Sequence, residues 1–409
     1  MYENLELLSP AGNFEKMRYA IAYGSDAVYL GIKSLSLRAR ENEFTLENIG
    51  KAIKYAHDRN NKVYITANIY PRGYDEHQLL EKLDILYSYE PDAFIISDPG
   101  IFMIVKDNFD IPIHLSVQAN VTNKFAAKYW YKQGVKRIIL ARELSIEEIK
   151  EIHNYVPNLE LEFFVHGSIC VAYSGRCLLS AYLSKRNPNL GVCSQPCRWK
   201  YRVYLEEIET GVVLPMEEDE HGTYILNSKD LCLIEHIKEL ADAGIVSFKI
   251  EGRNKTEYYV SLVTKVYRKA LDLLKEGKEI PYLELLEELK KASNRGFITS
   301  FIDMPITTCE KELQNYNTTS SQQTHLYVGK IKEYNKEEGI MICDIKNQIS
   351  VGDNVEIITP KDEYRGKIME ILRKNKTQTI AHPGEKNVKV RIAPYPLKEL
   401  HYGLIIKKR

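Results

Sequence analysis

The chain has 409 residues, 44% of them hydrophobic and 27% charged, which excludes a wholly disordered protein and suggests two or three domains. Its 56 basic and 56 acidic residues balance, so the overall charge points to no polyanionic partner. The sequence begins without a basic, then apolar, leader pattern, and no uncharged apolar run reaches the ~18 residues of a membrane span. We therefore expect a soluble, cytoplasmic protein with no membrane contact.

Short apolar runs alternate with helical stretches from residue 5 to about residue 275. The predicted strands are residues 5–8, 27–30, 62–67, 93–97, 113–117, 137–140, 160–165 and 246–250. Most are β-branched or aromatic, as strands buried on both faces are. Amphipathic helices are predicted between them, at residues 46–59, 78–87, 124–133 and 146–155. Eight strand–helix units predict an α/β fold, a closed (β/α)8 TIM-like barrel over residues 1–300.

Polar residues follow nearly every predicted strand, and in a barrel they meet at one mouth. They are Ser9, Asn68, Asp98, Gln118, Asn120, Arg142, Glu143, His166, Glu251 and Arg253. Because barrel enzymes carry their active sites at this mouth, the ring predicts a catalytic centre. His166, Asp98 and Glu251 are the candidates for proton transfer. The alternative for any one position is an ordinary loop or helix-capping residue.

The strand–helix pattern changes after residue 274. A helix is predicted at residues 282–292, followed by a polar linker over residues 301–324. Short strands are then predicted at residues 326–331, 339–345, 354–359, 365–372 and 388–392. They predict a small antiparallel β-barrel domain over residues 325–409. This domain has 17 Lys and Arg against 11 Asp and Glu, which is compatible with RNA binding or with an ordinary solvated surface.

Four of the seven cysteines fall within 28 residues, at Cys170, Cys177, Cys193 and Cys197, in an inserted segment at residues 166–200 that follows the seventh strand. Four close thiolates suit a soft metal centre. The uneven spacing favours an iron–sulfur cluster over a structural zinc site, which more often has two tight cysteine pairs. Zinc and a catalytic thiol remain alternatives. The other cysteines, Cys232, Cys309 and Cys343, are predicted to be buried small hydrophobic residues.

Short motifs recur through nearly the whole chain. They are ELLSPAG at 6–12, YGSDAVY at 23–29, SDPG at 97–100, HLSVQAN at 114–120, FVHG at 164–167, CRW at 197–199, NSKDL at 227–231 and KIEGR at 249–253. Together these motifs resemble peptidase family U32, and the cysteine segment is similar to the tRNA-hydroxylating branch of that family. One departure is the short connection between Trp199 and Tyr224, where larger relatives carry a longer insertion.

The resemblance implies a 4Fe-4S cluster on Cys170, Cys177, Cys193 and Cys197. It also implies 5-hydroxylation of the wobble uridine in the tRNA anticodon loop, with prephenate as the hydroxyl donor. The implied partners are tRNA and a paralogous family member. Sister branches act on ribosomal RNA or on a quinone precursor, and older descriptions call the group proteases.

Side chains suited to these substrates lie at or soon after predicted strand ends. Prephenate is a dicarboxylate, and arginine binds carboxylates through two parallel hydrogen bonds. The candidate substrate-binding residues are Arg38, Arg40, Asn68, Gln118, Arg142 and Arg253. A base displaced from a single-stranded loop can stack on aromatic side chains, and Tyr173 and Trp199 flank the cysteines.

Two other functions stay open. A peptidase would need a nucleophile and a base, yet the sequence has neither an HExxH zinc helix nor a GxSxG elbow. His166 precedes Cys170 closely, so Cys–His catalysis is formally available. A zinc-stapled RNA- or ribosome-binding module would need only the cysteines and the basic C-terminal domain. Metal content separates that module from the enzyme, since one would hold zinc and the other iron with sulfide.

Overall fold

The computed structural model describes residues 2–37, 42–71, 73, 75–169, 172, 177–184, 186, 193–196, 205–207, 212–214, 228–303, 321–374, 376–396 and 398–409. Within these ranges, no helix combines the length and the apolar character that crossing a membrane requires.

The N-terminal region is built on a parallel barrel. Its strands are β1 (Glu6–Pro10), β2 (Ala27–Leu30), β3 (Lys62–Ala67), β4 (Ala93–Ile96), β5 (Ile113–Leu115), β6 (Arg137–Ile139), β7 (Glu160–Ser168), β8 (Leu205–Glu207), β9 (Val212–Leu214), β10 (Asp230–Cys232), β11 (Ile245–Ile250) and β12 (Phe297–Ile298). Among the described residues, β1 to β7 and β11 form eight parallel strands, and β11 closes the ring by pairing with both β1 and β7. The predicted (β/α)8 barrel is confirmed.

Helices surround this barrel. They are α1 (Phe14–Ala22), α2 (Leu46–His57), α3 (Glu76–Tyr87), α4 (Pro99–Asn108), α5 (Lys124–Lys132), α6 (Ile146–Tyr155), α7 (Leu179–Ser184), α8 (Ile237–Asp242), α9 (Glu257–Lys275) and α10 (Tyr282–Leu289). Capping residues start many of them: the side chains of Asn13, Asp75 and Asn123 accept hydrogen bonds from first-turn N–H groups. The helices bury apolar faces against the strands, as α2 does with Ile49 and Ile53.

The barrel sheet extends beyond its closed ring. Strand β10 pairs antiparallel with the end of β7, opposing Cys232 to His166, and β12 pairs with β10. Strands β8 and β9 form a separate antiparallel hairpin. The sequence did not predict these short strands, because two or three residues carry too little alternation to be recognised. The end of β7 is therefore flanked by two strands, and His166 lies opposite Ile250 of β11 on one side and Cys232 of β10 on the other.

The C-terminal domain is a second, antiparallel barrel. Its strands are β13 (His325–Asn335), β14 (Ile340–Ile345), β15 (Ile349–Ser350), β16 (Asn354–Ile358), β17 (Glu363–Arg373), β18 (Lys376–Gln378), β19 (Ile380–Ala381), β20 (Val388–Ala393) and β21 (Leu404–Lys408). In the described part of this domain, six strands run in the order β16–β21–β13–β14–β20–β17, and a β16–β17 pairing closes them. The predicted antiparallel barrel is confirmed, and Cys343 is buried in its core as expected. Strand β21 was not predicted.

The two barrels share a packed boundary along α1 and α9. The Tyr23 hydroxyl donates to the carbonyl oxygens of Ile358 and Tyr402, at 2.8 and 2.9 Å. The Tyr327 hydroxyl donates to Glu257 at 3.0 Å, and its ring stacks on Tyr258. Because buried hydrogen bonds and apolar contacts both cross this boundary, the C-terminal domain is held beside the barrel helices.

Candidate active site

The carboxyl ends of the barrel strands bring together most of the predicted site residues that the structure describes. These are Asn68 after β3, Gln118 after β5, Arg142 after β6, and Glu251 and Arg253 after β11. Arg38 and Arg40, and the predicted stacking residues Tyr173 and Trp199, lie outside the described residues. Parallel strands that close into a barrel place these positions around one mouth, as the sequence predicted.

Arg253 is a buried cation among neutral groups. Its side chain is 4% exposed, and its Nη1 donates to Ser36 Oγ at 3.0 Å and to Asn42 Oδ1 at 3.4 Å. Within the described residues no carboxylate forms an ion pair with it, and neither Arg253 Nε nor Asn42 Nδ2 has a hydrogen-bond partner although both atoms are buried. A buried guanidinium whose hydrogen-bond partners are all neutral is costly unless an anion binds it.

Arg142 and Arg253 each contact an aromatic ring. The Arg142 guanidinium carbon is 4.5 Å from the centre of the Phe164 ring, and Nη1 donates to the Ser168 carbonyl at 2.7 Å. The Tyr29 ring centre is 5.5 Å from the Arg253 guanidinium. Burial raises the pKa of the adjacent Glu143 carboxyl, although the Arg142 charge opposes this. The mouth therefore contains two buried guanidinium groups, that of Arg142 near the Phe164 ring and that of Arg253 near the Tyr29 ring.

Hydrogen bonds hold Glu251 beside the Tyr29 side chain. The Tyr29 hydroxyl lies 3.0 Å from Glu251 Oε2 and 2.9 Å from the Ile250 carbonyl, and the Glu251 N–H donates to the His166 carbonyl at 2.9 Å. Gly167 permits this close approach: its φ is +110°, and an added Cβ would lie 2.4 Å from the Glu251 carbonyl oxygen. A carboxylate held this way can accept a proton at the mouth.

His166 is sealed in an aromatic enclosure. It is 1% exposed, and its ring lies 5.4 to 6.0 Å from the rings of Tyr259, Tyr267 and Phe297. Its Nδ1 is 3.4 Å from the Tyr267 hydroxyl, which itself donates to the Val165 carbonyl at 2.8 Å. Burial, with the nearby Lys255 charge, lowers the pKa of His166 to about 3. The imidazole is therefore neutral near pH 7 and cannot act there as a proton donor in its charged form.

Asp98 has a structural task in this fold. Its Oδ1 accepts hydrogen bonds from the N–H groups of Gly100 and Ile101, at 2.8 and 3.1 Å, and so caps α4. Pro99 occupies the first turn, as it commonly does after a capping residue. Capping explains this aspartate without any catalytic role, and its predicted part in proton transfer stays a prediction.

Below the mouth, the barrel interior contains an ion network that the sequence analysis missed. Arg137 Nη1 pairs with Glu6 at 2.6 Å and with Glu162 at 3.3 Å, and Glu162 pairs with Lys249 Nζ at 2.6 Å. All four side chains are buried. Burial lowers the pKa of Lys249, while Glu162 opposes that shift. The K-I-E-G-R motif carried the missing signal, because its alternate residues Lys249, Glu251 and Arg253 all face inward.

The cysteine segment is described at two of its four predicted ligands. Cys177 and Cys193 are half-buried and reduced, whereas Cys170 and Cys197 lie outside the described residues. Ser194 joins the two described stretches: its N–H donates to Ser180 Oγ at 3.0 Å, and the two hydroxyls are also 3.0 Å apart. Across the described residues, no three His, Cys, Asp or Glu side chains form a metal site. Cys232 is buried, as expected, and burial raises its thiol pKa to about 11.

Comparison with known proteins assigns the chain to a family. Residues 12–310 match the model described as Peptidase family U32, and residues 323–407 match the Peptidase family U32 C-terminal domain. The "tRNA hydroxylation protein P" of Escherichia coli strain K12 is 40% identical, and the match covers 98% of this chain and 96% of that protein.

Two further relatives have names that denote other functions. The "23S rRNA 5-hydroxycytidine C2501 synthase" of Escherichia coli strain K12 is 36% identical over 67% of this chain and 40% of that protein. The "Collagenase" of Porphyromonas gingivalis is 29% identical over 94% of this chain and 96% of that protein. The match therefore extends over the full length of a tRNA hydroxylation protein, and over less than half of the ribosomal RNA enzyme.

Proposed function

The chain belongs to peptidase family U32, and we propose that it is a tRNA-hydroxylating enzyme that works at the barrel mouth. The full-length match to a tRNA hydroxylation protein at 40% identity carries this proposal. The part-length match to a ribosomal RNA hydroxycytidine synthase agrees with RNA hydroxylation as the reaction class. Action on tRNA implies a cytoplasmic protein.

We propose prephenate as the anionic hydroxyl donor, bound at Arg253. The unpartnered Arg253 Nε and Asn42 Nδ2 are two buried donors that a carboxylate would satisfy. Prephenate has a second carboxylate, and Arg142 is a second buried cation at the same mouth. The proposed contributions of Arg38 and Arg40 concern residues outside the described ranges.

We further propose that Cys170, Cys177, Cys193 and Cys197 hold a 4Fe-4S cluster. The described thiols fit such a group: the Gln195 N–H donates to Cys193 Sγ at 3.3 Å, and hydrogen bonds of this kind support cluster thiolates. The Ser180–Ser194 contact also keeps the two described stretches together. When bound, a cluster of this type supplies one-electron chemistry. The protein's own contribution is to bind the donor and the base and to transfer protons.

Among the three predicted proton-transfer residues, the geometry favours Glu251. It lies at the mouth beside Tyr29, whereas His166 is sealed away from solvent and Asp98 caps a helix. We propose that Glu251 accepts the proton that leaves C5 of the base, with Tyr29 holding the carboxylate in place. Replacing hydrogen by hydroxyl at C5 removes two electrons from the base, and the hydroxyl donor takes them up as the electron pair of its own broken C–O bond.

The proposed RNA target is the wobble uridine of the tRNA anticodon loop. Bases in single-stranded loops can be displaced into a protein pocket, while a paired base is shielded. The lysine surplus of the C-terminal domain suits contact with the tRNA backbone. A paralogous family member as a second partner remains a prediction.

The peptidase alternative has little support in the site. Within the described residues, no hydrogen bond joins a histidine to a serine or cysteine, and the Nδ1 of His166 contacts the Tyr267 hydroxyl instead. A cysteine or serine peptidase needs its base within hydrogen-bond reach of the nucleophile.

Anaerobic purification followed by iron, sulfide and zinc analysis tests the cluster, with Cys193→Ala as the altered protein and Cys343→Ala as the matched control. We expect about four irons and four sulfides per chain, lost in the first variant and kept in the second. The loaded protein should then hydroxylate tRNA uridine only when prephenate is added, and should leave gelatin uncut. Stoichiometric zinc without sulfide, or hydroxylation independent of prephenate, would contradict the corresponding part of the proposal.

A further inference from the structure

A row of neutral polar side chains crosses the mouth along three neighbouring strands. Asn68 follows β3, Ser97 follows β4, and Ser116 and Gln118 follow β5. Asn68 Nδ2 is 3.3 Å from Ser116 Oγ and 3.3 Å from Gln118 Oε1. The Ser97 hydroxyl donates to Gln118 Oε1 at 3.4 Å, and Ser116 Oγ contacts the same oxygen. Gln118 is therefore the shared end of this row.

A backbone group sets the orientation of the row. The Leu37 N–H, which can only donate, lies 3.1 Å from the Asn68 side chain, so the atom that it meets must be the amide oxygen Oδ1. The other end of that amide is then Nδ2, a donor, and the Gln118 atom facing it must be an acceptor. The Gln118 amide therefore has its oxygen toward Asn68.

The main chain holds Gln118 in the same pose. The Tyr70 hydroxyl donates to the Gln118 carbonyl at 2.6 Å. Gln118 is the middle residue of the short 3-10 turn Val117–Ala119, which ends at Asn120 in the left-handed conformation with φ of +57°. Both ends of the residue are thus tied to the barrel. This leaves Nε2 as the side-chain donor of Gln118 that can reach a ligand.

Gln118 Nε2 is a donor that the protein leaves available. Among the described residues no hydrogen bond uses this atom, and the side chain is half-buried at the mouth. Turning this amide over to present its oxygen would set its NH2 group against the Asn68 NH2 group, which can only donate, so the observed orientation is favoured.

We propose that Gln118 is a specificity-determining residue that selects a uracil base by donating from Nε2 to the oxygen at ring position 4. Uracil carries a carbonyl acceptor there, whereas cytosine carries an amino donor, so a fixed donor accepts one base and repels the other. Position 4 is bonded to position 5, the proposed site of hydroxylation, so this contact also aims the reacting carbon. The inference rests on the proposed tRNA uridine hydroxylation.

The exchange Gln118→Glu tests this selection with little disturbance. Glutamate has the same shape and keeps an oxygen toward Asn68, Ser97 and Ser116, but replaces the outward NH2 group with an acceptor. The assay uses the loaded full-length protein and two transcripts of one tRNA, with uridine or cytidine at the target position. Wild type should favour uridine in kcat/KM, and the variant should lower that uridine-to-cytidine ratio about 10- to 100-fold.

A second variant and a matched control keep the result interpretable. Gln118→Leu removes both donor and acceptor, and should bring the ratio toward unity if Nε2 makes the distinction. Gln133→Glu makes the same chemical exchange at the C-terminal cap of α5 and should leave the ratio unchanged. The ratio within one variant cancels any general loss of tRNA affinity from the added negative charge.

Equal effects of Gln118→Glu on both transcripts, which leave the ratio at the wild-type value, would overturn the inference, because Gln118 would then not distinguish the two bases. Uridine hydroxylation itself would still stand. Failure of wild type to hydroxylate either transcript would instead refute the proposed function, and this inference with it.

Discussion

Buried charges are ion-paired at one end of the barrel interior, and at the other end Arg253 is buried without an ion pair to any described residue. Toward the amino ends of the strands, Arg137 is enclosed by Glu6 and Glu162, and Lys249 completes the pairing with Glu162. At the mouth, Arg253 is equally buried but its hydrogen-bond partners among the described residues are neutral, and its Nε has no partner. Each charge in the inner network has an oppositely charged partner, whereas Arg253 gains such a partner only when an anion binds.

This difference separates residues that support the fold from residues that await a ligand. Burial and charge alone do not distinguish Arg137 from Arg253, since both are arginines near strand ends with little exposed surface. Hydrogen-bond partners distinguish them. Removing one partner from a closed network leaves a buried charge behind, while removing an uncompensated cation takes a cost away.

The largest expected effect is on stability, from Arg137→Met. The substitution leaves Glu6 and Glu162 buried without their shared cation, so we expect the free energy of unfolding to fall by about 3–5 kcal/mol. Urea denaturation followed by circular dichroism measures it. Lys54→Met, which breaks the exposed Lys54–Asp58 pair, is the control and should cost at most about 0.5 kcal/mol. A loss below about 1 kcal/mol in Arg137→Met would show that the inner network is dispensable.

Arg253→Met should have a small effect on stability and a large effect on activity. We expect its free energy of unfolding to stay within about 1 kcal/mol of wild type, because the lost hydrogen bonds are offset by removal of an uncompensated charge. Its kcat/KM for hydroxylation should fall on the order of 100-fold, since a carboxylate would lose its charged partner. Steady-state assays at varied prephenate concentration measure the fall. Destabilisation as severe as that of Arg137→Met would contradict the claim that Arg253, unlike Arg137, does not stabilise the fold.

The burial of His166 can be tested through the pH dependence of the free energy of unfolding. Burial lowers the pKa of His166 to about 3, below the ordinary value near 6.5. The unfolded chain takes up a proton below pH 6.5 while the native chain does not, so this residue makes the native state lose stability as pH falls. His166→Phe should gain about 1.4 kcal/mol relative to wild type for each pH unit below 6.5.

Urea denaturation of the wild type and of His166→Phe between pH 7 and pH 4.5 measures that difference. The exchange His77→Phe, at an exposed position on α3, serves as the control and should show no such trend. A difference that is constant with pH would mean that the His166 enclosure admits water and protonates freely.

The smallest expected effect is at Asp98. Asn also caps helices, so Asp98→Asn should leave both stability and activity close to wild type, while Asp98→Ala should cost about 1 kcal/mol through loss of the α4 cap. Thermal unfolding and tRNA hydroxylation assays measure the two properties. Loss of activity in Asp98→Asn with the fold intact would return this residue to the catalytic set.

The sequence was sufficient for the barrel because β-branched runs such as those around Val63 and Ile95 recur with helices between them. It also identified the mouth, since polar residues follow the strand ends. It did not reveal the inner ion network: Arg137 and Glu162 lie far apart in the chain, and only closure of the barrel pairs them. Nor could it separate His166 and Asp98 from Glu251, because all three follow strands and only packing shows which one faces the mouth.

The most direct test of the account is mass spectrometry of tRNA nucleosides from a host that lacks its own tRNA hydroxylation proteins. Complementation with this chain should restore a uridine heavier by one oxygen atom, Arg253→Met should not, and both proteins should accumulate in folded form. Absence of that nucleoside with the wild-type chain, or its full restoration by Arg253→Met, would contradict the claim that the mouth binds an anionic donor to hydroxylate tRNA.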